Sequence, residues 1–61
     1  NKGVPRDYMR AYMWFNFAAK NGNRDGGKAL DIVASQMTHA EISKAKNMVR
    51  ECVKKKYKNC N

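Results

Sequence analysis

The residues of this sequence best suited to chemistry are two cysteines, one histidine and two serines. Cys52 and Cys60 lie near the C-terminal end, and His39 precedes Cys52 by thirteen positions. A cysteine nucleophile needs its histidine within hydrogen-bond reach. Thirteen residues of one continuous helix span roughly 20 Å, at about 1.5 Å per residue. The spacing therefore argues against a catalytic pair of Cys52 and His39.

The other catalytic and ligand-binding patterns also fail on residue type or spacing. Ser35 and Ser43 have no base nearby in the sequence. The glycine-rich stretch 22–27 lacks the spacing of a phosphate-binding loop, and no strand precedes it. One cysteine pair without a suitable histidine is a poor zinc site. We therefore expect a protein that is not an enzyme, with no cofactor and no metal, and with His39 as an exposed surface residue.

A disulfide bond is the other role that the two cysteines could have. Their Cα atoms would lie roughly 12 Å apart on a continuous helix, whereas a disulfide needs a separation below about 7 Å. The bond can form only if the helix ends near Lys56 or Tyr57 and the chain folds back. A disulfide would favour a periplasmic or secreted protein, since such bonds persist in oxidising compartments. A reduced cytoplasmic protein is equally able to fold.

Length and composition indicate one small folded domain. The chain has 61 residues, of which 43% are hydrophobic and 30% charged. This composition is too apolar for disorder, but so short a chain is only marginally stable alone. No apolar run approaches the roughly 18 residues that a membrane span needs.

The net charge of +8 is concentrated towards the C-terminal end. Residues 41–61 contain 7 basic and 2 acidic side chains, which gives +5 of that total. Such a segment could attract nucleic acid, an anionic membrane or an acidic protein, or could simply be a solvated helix face. The candidate basic surface comprises Arg50, Lys54, Lys55, Lys56 and Lys58.

Hydrophobic spacing predicts three helices, over about 7–20, 24–36 and 39–57. The first is apolar almost all round, which is typical of a helix that is buried on two sides. Such burial would need more neighbours than this chain contains. Its two apolar stripes are Tyr8, Ala11, Tyr12, Phe15, Ala18 and Ala19, and then Met9, Met13, Trp14 and Phe17.

Turn and capping residues separate the three helices. Gly22 is placed to end the first helix and Asn23 to cap the second. Thr38 and Glu41 have the spacing of a capping box for the third. No strand pattern competes, so the sequence predicts an all-α domain. The expected buried side of the second helix and the residue after it is Ala29, Leu30, Ile32, Val33 and Met37. The third helix has one apolar stripe, Ile42, Ala45, Val49, Cys52 and Val53.

The first half of the sequence resembles the Sel-one-like repeat family, which is related to the tetratricopeptide repeats. In that family a Gly-Val loop leads to an Asp, an Ala four residues later, an aromatic residue, an Ala-Ala pair and a closing Gly. The positions that match in register are Gly3, Val4, Asp7, Ala11, Trp14, Ala18, Ala19, Gly22 and, in the following helix, Leu30. The pattern is then lost, because Gly26, Asp31 and Ala34 differ from the residues usual in the next repeat.

This resemblance implies an α-α superhelix, of which the chain would be the C-terminal end. Residues 1–37 would hold the second helix of one repeat and a degenerate following helix. Residues 38–61 would form a capping helix and a basic tail, as the end of such an array requires. The implied function is a non-catalytic scaffold that binds partner proteins. The open face of the first helix could also drive self-association, and the alternative function is a small basic module for nucleic acid or anionic membrane.

Overall fold

A computed structural model describes residues 6–60, which form three α-helices. The helices are α1 at Arg6–Lys20, α2 at Arg24–Ser35 and α3 at His39–Lys54. No strand occurs within residues 6–60, and the predicted all-α fold class is confirmed. α1 and α2 agree with their predicted ranges to within one residue at each end. α3 stops three residues before the predicted position 57, and this difference bears directly on the surface described below.

The helix α1 is the centre of the arrangement. It packs against both α2 and α3, whereas those two helices barely meet each other. Met13 of α1 is completely buried and forms the core with Val49 and Cys52 of α3. Tyr12 is buried as well. Tyr12 and Met13 are thus covered within the described residues, whereas Tyr8 and Trp14 of the same helix remain exposed.

The contact between α1 and α2 is a close approach of two helix backbones. Gly26, in the first turn of α2, is buried. A Cβ atom built on Gly26 would lie 2.7 Å from the Cβ of Ala18 and 3.1 Å from the backbone nitrogen of Ala19. Atoms at such distances overlap, so the packing admits only glycine at this position. The departure of Gly26 from the repeat pattern thus has a steric reason.

Side-chain caps begin the second and third helices. The Oδ1 atom of Asn23 accepts a hydrogen bond of 2.9 Å from the backbone N–H of Gly26. At α3, the hydroxyl of Thr38 accepts from the N–H of Glu41 at 3.1 Å, and the Glu41 carboxylate accepts from the N–H of Thr38 at 2.7 Å. These reciprocal bonds are the predicted capping box, and they satisfy backbone donors that the helix leaves unpaired.

The end of α1 is a Schellman motif centred on Gly22. Gly22 has φ of 90°, a backbone conformation that glycine adopts without a steric cost. The N–H of Gly22 donates to the carbonyl of Ala19, and the N–H of Asn23 donates to that of Ala18, both at 3.0 Å. This pair of bonds defines the motif. It reverses the chain in three residues and so brings α2 back against α1.

Two residues of the predicted apolar sides are exposed: Ile32, which is predicted to be buried, and Val53, which is predicted on the apolar stripe of the third helix. Ile32 of α2 is 66% exposed, and Val53 of α3 is 46% exposed. α2 has one close neighbour, α1, so its opposite side faces solvent. Val53 belongs to the last turn of α3, where it lines an open groove. Periodicity places both residues on an apolar stripe but does not show whether another helix covers that stripe.

The two adjacent glycines of α2 provide a matched test of this packing. We expect Gly26→Ala to lower the free energy of unfolding by about 1–3 kcal/mol, because the added methyl group overpacks the contact with Ala18. Gly27→Ala should instead raise it by about 0.5–1 kcal/mol through better helix propensity, since its Cβ would meet nothing closer than 4.0 Å. Denaturant unfolding followed by circular dichroism measures both changes. Equal effects of the two substitutions would contradict the close approach.

Candidate interaction surface

The chain turns sharply after α3, at a second Schellman motif. The N–H of Lys56 donates to the carbonyl of Val53 at 3.0 Å, and the N–H of Tyr57 donates to that of Cys52 at 2.8 Å. Lys56 occupies the position at which Gly22 stands in the first motif, with φ of 57°. A left-handed conformation costs a residue with a side chain about 1–2 kcal/mol. Something outside the turn must therefore hold it in place.

The disulfide bond between Cys52 and Cys60 supplies that restraint. The two Cα atoms lie 5.2 Å apart, within the range that a disulfide spans. Cys52 is buried in the core, and Cys60 packs against it from outside. The bond therefore ties the end of the described chain to the core. Between the two cysteines, Tyr57 and Asn59 also have positive φ values, of 67° and 56°.

The fold-back places Tyr57 against the central helix. Its ring meets that of Phe17 at a centroid distance of 5.2 Å and an interplanar angle of 78°. Phe17 in turn meets Trp14 at 5.6 Å and 63°. Both are edge-to-face arrangements, which aromatic rings favour. The three rings form a continuous row, and the middle ring, Phe17, packs against the core cluster.

This row of rings forms one side of a surface groove of about 420 Å³, which we call the aromatic groove. Trp14 is 41% exposed and Tyr57 60% exposed. Large aromatic side chains that stay exposed yet fixed are enriched where proteins bind other proteins. The aromatic groove is lined by Trp14, Phe17, Lys20, Asn21, Val53 and Tyr57.

The residues that line the aromatic groove carry one charge, which is positive and belongs to Lys20. Lys56 and Lys58, on either side of Tyr57, are both exposed. Lys54 is exposed too and makes an ion pair of 3.6 Å with Glu51, a surface interaction of small energetic value.

The predicted basic surface is exposed but is divided between the helix and the turn. Arg50 and Lys54 are on α3, where Arg50 hydrogen-bonds Asn47. The other three basic residues follow the helix, because α3 ends earlier than predicted. They are Lys55, Lys56 and Lys58. The five cations therefore do not continue as one straight helical stripe.

The residues of the repeat pattern have different surroundings. Gly3 and Val4 lie outside the described residues. Asp7 is exposed in the first turn of α1, and Leu30 is half-buried in α2. The alanines of the pattern, at 11, 18 and 19, are half-buried on α1, whereas Trp14 is exposed. Ala18 takes part in the close approach of α1 and α2.

The described part of the chain offers no metal site. Among residues 6–60, no three His, Cys, Asp or Glu side chains come together as ligands. His39 is exposed at the start of α3. No helix of this part of the protein has the length and apolarity needed to cross a membrane.

The aromatic groove is the feature that the sequence did not predict. Trp14 and Phe17 are three positions apart in a helix, a spacing that places their side chains side by side. Tyr57, however, is 40 positions further along the chain than Phe17. The signal that could have linked them is the cysteine pair, because a closed disulfide forces a turn that includes Tyr57.

Compared with protein-family models, curated proteins and solved structures, the chain gives no match. The resemblance to the helical repeats therefore stands on the residues of the sequence alone. The structure itself establishes an all-α fold, a disulfide and an exposed aromatic groove.

Reduction of the disulfide tests whether the bond holds Tyr57 in place. We expect dithiothreitol to lower the free energy of unfolding by about 2–3 kcal/mol, the value for a short closed loop. The emission of Trp14 and the near-ultraviolet circular dichroism should change as well, because Tyr57 leaves Phe17. The double variant Cys52→Ala/Cys60→Ala is the control and should not respond to the reductant. Identical unfolding curves of the wild type with and without reductant would be inconsistent with this role.

Proposed function

We propose that this protein is a non-catalytic module that binds other proteins, with the aromatic groove as its contact surface. The observation that carries the proposal is the row of Trp14, Phe17 and Tyr57. Its two outer rings are exposed although its middle ring packs on the core. Binding to rings that are already fixed requires little further ordering of side chains. Surface aromatics of this kind are typical binding hot spots.

We also propose that the chain is the C-terminal end of a helical-repeat solenoid of the Sel-one-like kind. The support is the set of nine pattern residues in the sequence, together with the close pairing of α1 and α2 at Ala18 and Gly26. In this proposal, α3 is the capping helix. The disulfide supports an oxidising compartment, and we propose the periplasm or the cell exterior rather than the cytoplasm.

Self-association through α1 is part of the same proposal. Tyr8 and Trp14 are large hydrophobic residues that this helix exposes. Exposed apolar residues of this kind are available to a second copy of the chain.

A second candidate function is binding of nucleic acid or an anionic membrane. The observation that favours it is the exposure of five cations within nine positions, at Arg50, Lys54, Lys55, Lys56 and Lys58. Such binding would be electrostatic and would weaken steeply as the salt concentration rises. The protein-binding proposal ranks first, because it also uses the exposed aromatic rings.

Affinity capture with matched surface variants tests the proposed function. The oxidised chain, attached to a support, is incubated with an extract of the cells that produce it, and bound proteins are quantified by mass spectrometry. We expect Trp14→Ala to reduce capture of specific partners by about tenfold, as loss of an aromatic hot spot does. Ile32→Ala is the control, because Ile32 is equally hydrophobic and more exposed but lies on α2 away from the groove.

The capture experiment also separates the two candidate functions. Equal recovery of partners by the wild type and Trp14→Ala would refute the aromatic groove as the contact surface. Recovery of nucleic acid or lipid that disappears between low and physiological salt would favour the second candidate instead. Analytical ultracentrifugation of the same samples shows whether Trp14→Ala weakens self-association.

A further inference from the structure

We infer that the aromatic groove binds an acidic peptide segment with one large apolar side chain. This inference rests on the proposed function and specifies the chemistry of the partner. The groove combines an apolar lining, from the three rings and Val53, with Lys20 at its edge. An apolar anchor would occupy the groove, and a carboxylate beside it would meet Lys20.

The charge of the surroundings selects for an acidic partner. Of the described residues that line the groove, Lys20 is charged and the others are neutral. The carboxylate of Glu51, which does not line the groove, lies 3.6 Å from the ammonium group of Lys54. The net charge of the whole chain is +8. Such a surface attracts an acidic segment and repels a basic one over about a Debye length.

The volume and shape of the groove favour a peptide side chain. A volume of about 420 Å³ lies in the range of roughly 300–1,000 Å³ typical of sites that hold compact ligands. It is room for a short apolar segment and too little for a whole helix. The disulfide fixes one side of the groove, because Tyr57 belongs to the turn that it closes.

A strand of nucleic acid fits this arrangement less well. Single-strand binders present flat ring faces along a track of cations. Here the rings are inclined to one another by 63° and 78°, so they enclose a concavity instead of offering parallel faces. One cation lines the groove itself. A nucleic-acid strand needs a cation at each of several phosphates. Lys20 alone could pair with one phosphate, or with one carboxylate of an acidic peptide.

The fluorescence of Trp14 measures binding directly, because it is the single tryptophan of the chain. The probe is a blocked pentapeptide with a central phenylalanine and two acidic residues on either side. One control peptide has lysines in place of the acids, and a second has alanine in place of the phenylalanine. We expect the acidic phenylalanine peptide to shift the emission of Trp14 saturably. Both control peptides should bind at least about tenfold more weakly.

Charge reversals in the protein are the second part of the peptide-binding experiment. Lys20→Glu should weaken binding of the acidic peptide about fivefold, because Lys20 lines the groove. Lys28→Glu changes the net charge equally but lies on α2, outside the residues that line the groove, and should change affinity less than about twofold. Circular dichroism checks that each variant keeps its helices.

The outcomes separate this inference from the proposed function on which it rests. Equal binding of the lysine peptide, or equal effects of the two charge reversals, overturns the acidic partner. Saturable shifts of Trp14 by an oligothymidylate or by phosphatidylglycerol vesicles, but not by the peptide, overturn it in favour of those ligands. If no probe binds while capture still depends on Trp14, the inference fails and the proposed function stands. Peptide binding without Trp14-dependent capture supports the chemistry of the groove and overturns the proposed function.

Discussion

The covalent bond between Cys52 and Cys60 determines how the last described residues relate to the core. Cys52 is buried beside Met13 and Val49, so anything attached to it is fixed relative to α1. The attached segment has three non-glycine residues in left-handed conformations, which side chains make costly. Tyr57, one of the three, contacts Phe17 within the loop that the crosslink closes. A local constraint thereby shapes a surface to which α1 and the C-terminal turn both contribute.

The central helix α1 packs differently against its two neighbours, α2 and α3. Towards α2 it presents alanines, and the backbones come so close that only glycine fits at position 26. Towards α3 it presents Met13, a long flexible side chain of the kind that fills irregular space in a core. The aromatic residues between these two sides are partly covered. Within residues 6–60, the two neighbouring helices leave Tyr8 and Trp14 of α1 exposed.

Two Schellman motifs end α1 and α3 with different residues. Gly22 makes the first turn intrinsically favourable, so the α1–α2 pair reverses because of its local sequence. Lys56 makes the second turn intrinsically unfavourable, and it depends on the disulfide. The pairing of α1 with α2 is thus specified within residues 6–35. The turn after α3 is closed by a bond between Cys52 and Cys60, eight positions apart.

The sequence by itself determined the helices, their caps and the fold class. Those features depend on contacts within a few residues, such as the Thr38–Glu41 box and the turn at Gly22. It also restricted the disulfide to a chain that folds back after α3. Only the tertiary structure decided that Ile32 and Val53 face solvent and that Tyr57 meets Phe17. Periodicity shows which side of a helix is apolar, but whether a neighbour covers that side depends on how helices distant in sequence pack together.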